Sequence, residues 1–422
     1  MFLQNLSQND PAVADIVRKE LERQRGSLEL IPSENFVSVA VLEALGSVLT
    51  NKYSEGTVGK RYYGGNQFID QIEQLAIDRA KEMFAPDLSV RETIHVNVQS
   101  LSGAPANIAA YSALLTPGDT VLGMDLSHGG HLTHGHPVTL MAKIYNFIRY
   151  KTTAEGVIDY DEIHRLALEH KPKLILVGYS AYSREIDYQR VKEIADEVGA
   201  LTMADIAHIA GLIVAGEMNN PVGLFDVVTT TTHKTLRGPR GGMIICKKEW
   251  AKKIDSAVFP GLQGGPHENN IAAKAVAFGE ALKPEFKNYA KQIRLNAKAL
   301  CNSLQAGGLK VMFGGTDNHL ILADVTPLGL GGKEAQNVLD TLGITLNMNM
   351  IPDDPRSPMD PSGIRLGTPA MTTRGFKESD FAEVGEMIVK VLKNKNDAGV
   401  LDEVRAKVKE LTDKYPLYPE LK

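Results

Sequence analysis

The chain has 422 residues, 43% of them hydrophobic and 23% charged, ordinary values for a folded globular protein and far from those of a disordered chain. Its 46 basic and 51 acidic residues leave a net charge of −5, which gives no electrostatic basis for a nucleic-acid partner. The two cysteines, Cys246 and Cys301, exclude a disulfide scaffold or a cysteine-rich zinc site and suit a reducing compartment. With no apolar run near the ~18 residues of a membrane span, and no basic-then-apolar leader among the first ten residues, the expected setting is the cytoplasm, away from membranes.

Asp10 caps the first predicted helix and Pro11 suits its first turn; Val13, Ile16, Val17 and Leu21 give it one apolar stripe. After the irregular Ile31-Pro32-Ser33-Glu34-Asn35, a second apolar helix runs to about residue 49. From residue 94 the pattern alternates. Strands are predicted at 94–99, 120–125, 144–150, 174–180, 201–205, 226–232 and 243–246. Helices are predicted from Ser102-Gly103 through residue 115, over 159–170 with Asp159 and Glu162 at capping-box spacing, and over 187–198. Such alternation implies a largely parallel sheet covered on both faces. Beyond about 280 a long amphipathic helix (286–304) ends at Gly307-Gly308. Strands at 311–313 and 320–325 and helices at 333–342, 378–392 and 401–414 then predict a smaller α+β domain. The expected organisation is an N-terminal helical arm over 1–50, a large domain over 51–280 and a small C-terminal domain over 281–422.

Thr229-Thr230-Thr231-Thr232-His233-Lys234 is the most informative stretch. Strand ends of open α/β sheets hold ligands, and a desolvated lysine there becomes nucleophilic toward an aldehyde; the plain alternative is a strand ending in a solvated lysine. Asp205 ends the strand at 201–205. A carboxylate buried there needs a cation or hydrogen bonds, and a protonated pyridine ring is such a cation. A lysine paired with a pyridinium carboxylate is the signature of pyridoxal phosphate, although Asp205 also reads as a cap before Ala207-His208. Ser102-Gly103 opens a helix after a strand, where N–H groups hold a phosphate. Phe259-Pro260-Gly261-Leu262-Gln263-Gly264-Gly265-Pro266 is a second glycine-rich loop. His128, His131, His134 and His136 crowd a glycine-interrupted loop that fits no strong zinc pattern, so an imidazole against a cofactor ring is expected and no metal. Arg365, between glycines, suits a bidentate carboxylate clamp or a surface salt bridge. Tyr53, Glu55, Lys60, Arg61, Tyr62 and Tyr63 fill a polar, aromatic loop suited to a site wall or an interface.

Asn51-Lys52-Tyr53-Ser54-Glu55-Gly56 and the stretches 59–65, 126–135, 229–234, 238–242, 259–266 and 362–369 together resemble the serine hydroxymethyltransferase family, in order over most of the chain. The resemblance implies an α/β chain of the aspartate-aminotransferase type (pyridoxal-phosphate fold type I). Such a chain has a mostly parallel seven-stranded sheet in the large domain and a smaller α+β C-terminal domain. It implies a transferase that interconverts serine plus tetrahydrofolate with glycine plus 5,10-methylenetetrahydrofolate, with side aldolase activity on β-hydroxy amino acids. A homodimer with shared sites is also implied, with pairing of dimers into tetramers left open.

By matching position, Lys234 resembles the Schiff-base lysine, Asp205 the partner of the pyridine nitrogen, His131 the stacking imidazole and His208 the contact to the phenolic oxygen. Ser102 and Gly103 would bind phosphate with Gly264 and Gly265 of the neighbouring subunit, Arg240 would support the lysine loop, and Tyr53, Ser180 and His233 would complete the cofactor contacts. Arg365 would clamp the amino-acid carboxylate near Ser33 and Tyr63; Glu55 of the partner chain would shuttle a proton. Thr231 joins the catalytic set and Ser357 the substrate set, while Leu126, Gly130, Leu132 and Asn349 would line the folate site. The chain departs from the family pattern at Thr57-Val58 (Tyr-Pro expected), Met348 (lysine), Met359 (phenylalanine), Ala104 (serine) and a longer 85–93 segment. The departures near the folate side keep a folate-independent aldolase in view, and a catalytically silent scaffold is the reading from another class.

Overall fold

In the computed structural model, which describes residues 3–153 and 155–421, the chain divides into two compact units: 37–291, and 1–36 together with 292–422. The larger unit is built on seven strands: β1 (Ile94–Asn97), β2 (Thr120–Met124), β3 (Asn146–Tyr150), β4 (Leu174–Gly178), β5 (Leu201–Asp205), β6 (Val227–Thr231) and β7 (Gly242–Lys247). Their order across the sheet is β1-β7-β6-β5-β4-β2-β3. β7 alone runs against its neighbours; the other pairs are parallel. This is the mostly parallel sheet that the strand–helix alternation predicts. Helices α1 (Gln67–Phe84), α2 (Gly103–Leu114) and α3 (Glu268–Ala281) belong to the same unit. Val121, Leu176, Met203 and Ile244 of the sheet are buried with Ala106, Ala110 and Tyr111 of α2.

Local sequence explains most boundaries. Asp10, Asp159 and Asp187 each accept a backbone N–H of the first helical turn, satisfying donors that a helix start leaves open. The topology carries the ends of β5 and β6 to neighbouring positions, with Asp205 in register with Thr229. Gly178, the last residue of β4, lies in register with Asp205 at φ +133°, and a Cβ there would stand 2.2 Å from the Asp205 carbonyl oxygen. The backbones meet this closely only because residue 178 has no side chain.

The smaller unit carries an antiparallel sheet of β8 (Lys310–Val311), β9 (Leu320–Asp324), β10 (Asn347–Asn349) and β11 (Gly363–Gly367), in the order β8-β9-β11-β10. The expected α+β texture is present, but the arm predicted over 1–50 is divided. Leu28–Glu29 pairs in parallel with Ile344–Thr345, and Leu28, Leu30 and Phe36 lie in one buried cluster with Leu300, Leu366 and Phe381. Residues 1–36 are therefore part of the C-terminal unit. The next helix, Val39–Leu45, buries Val41 beside Ala273 and Ala277 of α3 in the larger unit. Hydrophobic burial against residues distant in sequence sets these boundaries. The apolar stripe predicted on the first helix is not buried in the single chain: Val13 is 44% and Ile16 65% exposed. No helix among the described residues is long and apolar enough to cross a membrane.

Leu30 is fully buried, so Leu30→Ala is expected to cost about 2–5 kcal/mol of unfolding free energy, measured by urea denaturation. A cost under about 0.5 kcal/mol, the size of a surface substitution, would contradict the assignment of this segment to the C-terminal core.

Candidate active site

Asp205 is 8% exposed at the end of β5. Its Oδ2 accepts a 2.8 Å hydrogen bond from Nδ2 of Asn107 and lies 3.2 Å from Nε2 of His134; its Oδ1 accepts the N–H of Ala207 at 3.1 Å. Burial raises the pKa of this carboxyl, but the hydrogen bond and charge of His134, with the charges of His131 and Lys234, outweigh it and hold the group well below the usual carboxylate range. The site therefore contains a buried carboxylate that favours its ionised form. Asn107 is its hub: Nδ2 also donates to Oγ1 of Thr133 at 2.8 Å, and Oδ1 accepts from Oγ1 of Thr229 at 2.6 Å. Thr133 in turn holds His131, with Oγ1 and Nδ1 2.7 Å apart.

Lys234 follows β6 and is 9% exposed. Its loop is tied to the segment after β5: Thr235 Oγ1 donates to the His208 carbonyl at 2.9 Å, and Thr231 Oγ1 to the Ala207 carbonyl at 3.3 Å. Arg237 closes the loop with φ +57°, its N–H on the Lys234 carbonyl and its guanidinium 4.6 Å from the Tyr289 ring centroid. Burial, then the nearby charges of Lys234 and Arg240, push the His233 imidazole down to about 3, so it stays neutral. Arg240 is exposed and its carbonyl accepts from Asn270. The Ser180 N–H donates to the Gly129 carbonyl, which anchors the 126–131 loop.

Ser102 precedes α2 in extended conformation, and its side chain makes no capping bond. Gly103 packs so closely that a Cβ would stand 2.7 Å from Cγ2 of Thr231. Ser100 Oγ, in the same turn, is a buried hydroxyl without a partner. A helix start without a side-chain cap, a glycine with no room for a side chain and an unused hydroxyl fit a phosphate. The buried anion Asp205 fits a protonated ring nitrogen, and Lys234 fits an aldehyde. The donor set therefore suits pyridoxal phosphate. Among the described residues, His131, His134 and Asp205 also form a metal-capable group, with ligand atoms within 4.8 Å; Asp205 Oδ2 in that group already takes Asn107 and His134.

A second cluster gathers Tyr53, Glu55, Tyr63, Gly264 and Gly265. Tyr53 donates to Glu55 Oε1 at 3.0 Å, the Tyr53 and Tyr63 rings meet edge to face at 5.1 Å, and Cβ atoms on Gly264 and Gly265 would contact Glu55 and Tyr53 at 3.5 and 3.4 Å. Tyr53, Tyr62 and Tyr63 are 53%, 74% and 49% exposed. Leu132 is exposed beside buried Gly130, with Leu126 half-buried. The smaller unit contains the third group. Arg365 on β11 donates from Nε to Asn347 Oδ1 at 3.1 Å, and burial pushes its guanidinium down to about 10. Asn349 pairs with Gly363, and the Ser33 segment packs on the end of β11, with the Gly367 N–H on the Leu30 carbonyl. Ser357 is exposed and accepts the Met359 N–H.

Sequence reasoning missed His134 as the partner of Asp205, and it missed Asn107 and Thr133. Asn107 gave a signal, a lone amide in an otherwise apolar helix. Asn107→Ala would leave Asp205 one donor short, the Thr229 hydroxyl without its acceptor and the Thr133 hydroxyl with His131 alone. It is expected to cost about 2–4 kcal/mol in urea unfolding of the apoprotein; an unchanged midpoint would contradict the hub assignment.

Comparison with known proteins agrees with this geometry. The serine hydroxymethyltransferase family model matches residues 6–388. The chain is 56% identical over 418 residues to a serine hydroxymethyltransferase of Microcystis aeruginosa (strain NIES-843 / IAM M-2473), which covers 99% of this chain and 96% of that protein. With its lysine, buried carboxylate and glycine-opened helix at the ends of a seven-stranded sheet, the chain belongs to the serine hydroxymethyltransferase family.

Proposed function

We propose that this chain catalyses the reversible transfer of the serine hydroxymethyl carbon to tetrahydrofolate, giving glycine and 5,10-methylenetetrahydrofolate, with pyridoxal phosphate held on Lys234. The observation that carries the reading is a buried lysine and a buried, ionised carboxylate at the ends of adjacent parallel strands. When bound, the cofactor supplies a ring that accepts the electron pair released at the substrate α carbon.

The chain's own residues do the rest. Lys234 would hold the cofactor aldehyde and give it up to the substrate amine. Asp205, kept ionised by Asn107 and His134, would hold a proton on the ring nitrogen. His131 would lie against the ring, with Thr231, Ser180, His208 and His233 around it, and Ser102 and Gly103 would bind the phosphate. Arg365 would grip the substrate carboxylate with Ser33 near it, and its planar fork orients the bond that breaks. Ser357 would join the substrate contacts. Glu55 would move a proton at the hydroxymethyl oxygen or the folate, and Leu126, Gly130, Leu132 and Asn349 would receive the folate. Aldol cleavage of other β-hydroxy amino acids is a side reaction of the same apparatus.

Tyr53, Glu55, Tyr63, Gly264 and Gly265 form an exposed aromatic cluster of their own, and the first helix leaves Val13 and Ile16 uncovered. Both features support a homodimer in which this cluster completes the site of the second copy. A cytoplasmic setting accords with a chain that has only two cysteines.

Purified protein supplied with pyridoxal phosphate, serine and tetrahydrofolate is expected to form glycine in a folate-dependent manner, and Lys234→Ala to lose that activity by at least roughly a thousandfold, as for removal of a covalent catalyst. Serine cleavage that ignores folate, or survives in Lys234→Ala, would overturn the reading. If Glu55 acts across a dimer, mixing inactive Glu55→Gln and Lys234→Ala chains by co-refolding should restore roughly a quarter of wild-type activity, since half the dimers then carry one intact site. No restoration would place Glu55 in its own chain's site.

A further inference from the structure

Lys274 lies on α3, 1% exposed, and the chemistry above gives it no task. Its Nζ donates to three backbone carbonyls, Val98 at 2.6 Å, Ser100 at 3.0 Å and Gly242 at 2.9 Å. Three acceptors engage all three N–H bonds of an ammonium group. Burial pushes its pKa down to about 7 while Glu73 and Glu268 pull it up. These three carbonyls belong to the turn between β1 and α2 and to the start of β7, and the Gly242 N–H also reaches the Ser100 carbonyl. The Lys274 stem has room because residue 241 is glycine, where a Cβ would stand 2.5 Å from Cε. A second side chain holds the same turn: Gln263 accepts the Leu101 N–H at 3.1 Å and donates to the Gln99 carbonyl at 2.9 Å. The carbonyls of residues 98, 99 and 100 are thus all drawn onto side-chain donors. A carbonyl turned toward an anion would repel it, whereas one held by an ammonium or amide is turned away from it.

We propose that Lys274 and Gln263 are positioning residues that fix the carbonyls of residues 98–100 away from the cofactor phosphate, so that the turn leading into α2 presents donors to it. This inference rests on the cofactor assignment above. The phosphate-free aldehyde pyridoxal needs the same lysine and carboxylate but not the turn, so the two ligands separate this role from a general structural one.

The test titrates apoprotein with pyridoxal phosphate and, separately, with pyridoxal, following the visible absorption of the bound aldehyde. Wild-type protein should prefer the phosphate form; a wild type that binds neither would sink the cofactor assignment itself. Lys274→Met is expected to weaken pyridoxal phosphate binding about tenfold or more while changing pyridoxal binding less than about twofold. Equal weakening of both ligands, or none, would overturn the proposal. If Lys274→Met does not give folded protein by circular dichroism, Gln263→Ala decides. This half-exposed position should show a smaller loss, about threefold, again confined to the phosphate form, and an equal or absent effect on the two ligands would overturn the proposal.

Discussion

A carboxylate that stays ionised inside a protein has to be surrounded, and Asp205 sets that requirement for the larger unit. Removing such a group from water costs several kcal/mol unless donors replace the water. The donors arrive from three places: Asn107 from α2, His134 from the loop after β2, and the Ala207 N–H from the segment after β5. Gly178 lets β4 close against the same residue. α2, the histidine loop and the end of β4 all meet at this one group. Under the proposed function, a protonated ring nitrogen would be the cation that this buried anion stabilises.

The two ends of the proposed cofactor site would use different physics. The ring end relies on side chains: a buried anion, an imidazole tied through Thr133, and a lysine whose loop is braced by Thr235 and by Arg237 over Tyr289. The phosphate end relies on backbone, whose usefulness depends on which way its dipoles face. Beneath that backbone, Lys274 donates to the carbonyls of Val98, Ser100 and Gly242, which in the proposal above sets the direction. A polar group with no contact to ligand can matter as much as one that touches it.

Much of the site was legible from sequence because strand–turn–helix alternation carries particular positions to strand ends. Asp205, Lys234 and Ser102-Gly103 each follow a short β-rich run, and the helix caps at Asp10, Asp159 and Asp187 announce themselves locally. Other features depend on partners far along the chain. His134 and His128 look alike in a histidine-rich loop; only the fold sends one to Asp205 and the other to Thr152. Lys274 gives no signal of its own in the sequence; only the fold brings α3 to the three carbonyls it holds. The two-residue strand Leu28–Glu29 gives no periodicity to detect, yet its pairing with Ile344–Thr345 ties the N-terminal segment to the C-terminal unit. Val13 and Ile16 show the reverse case, a clear apolar stripe that finds no core in the single chain.

If the buried Lys234 and Asp205 hold a cofactor whose chemistry is coupled to folate, the protein's colour will report it. The decisive observation is the visible absorption spectrum of the purified protein with glycine, recorded before and after adding tetrahydrofolate. The expected result is a yellow protein that gains a longer-wavelength band with glycine, much strengthened by tetrahydrofolate. A protein that stays colourless after addition of pyridoxal phosphate, or a glycine response that folate leaves unchanged, would contradict it.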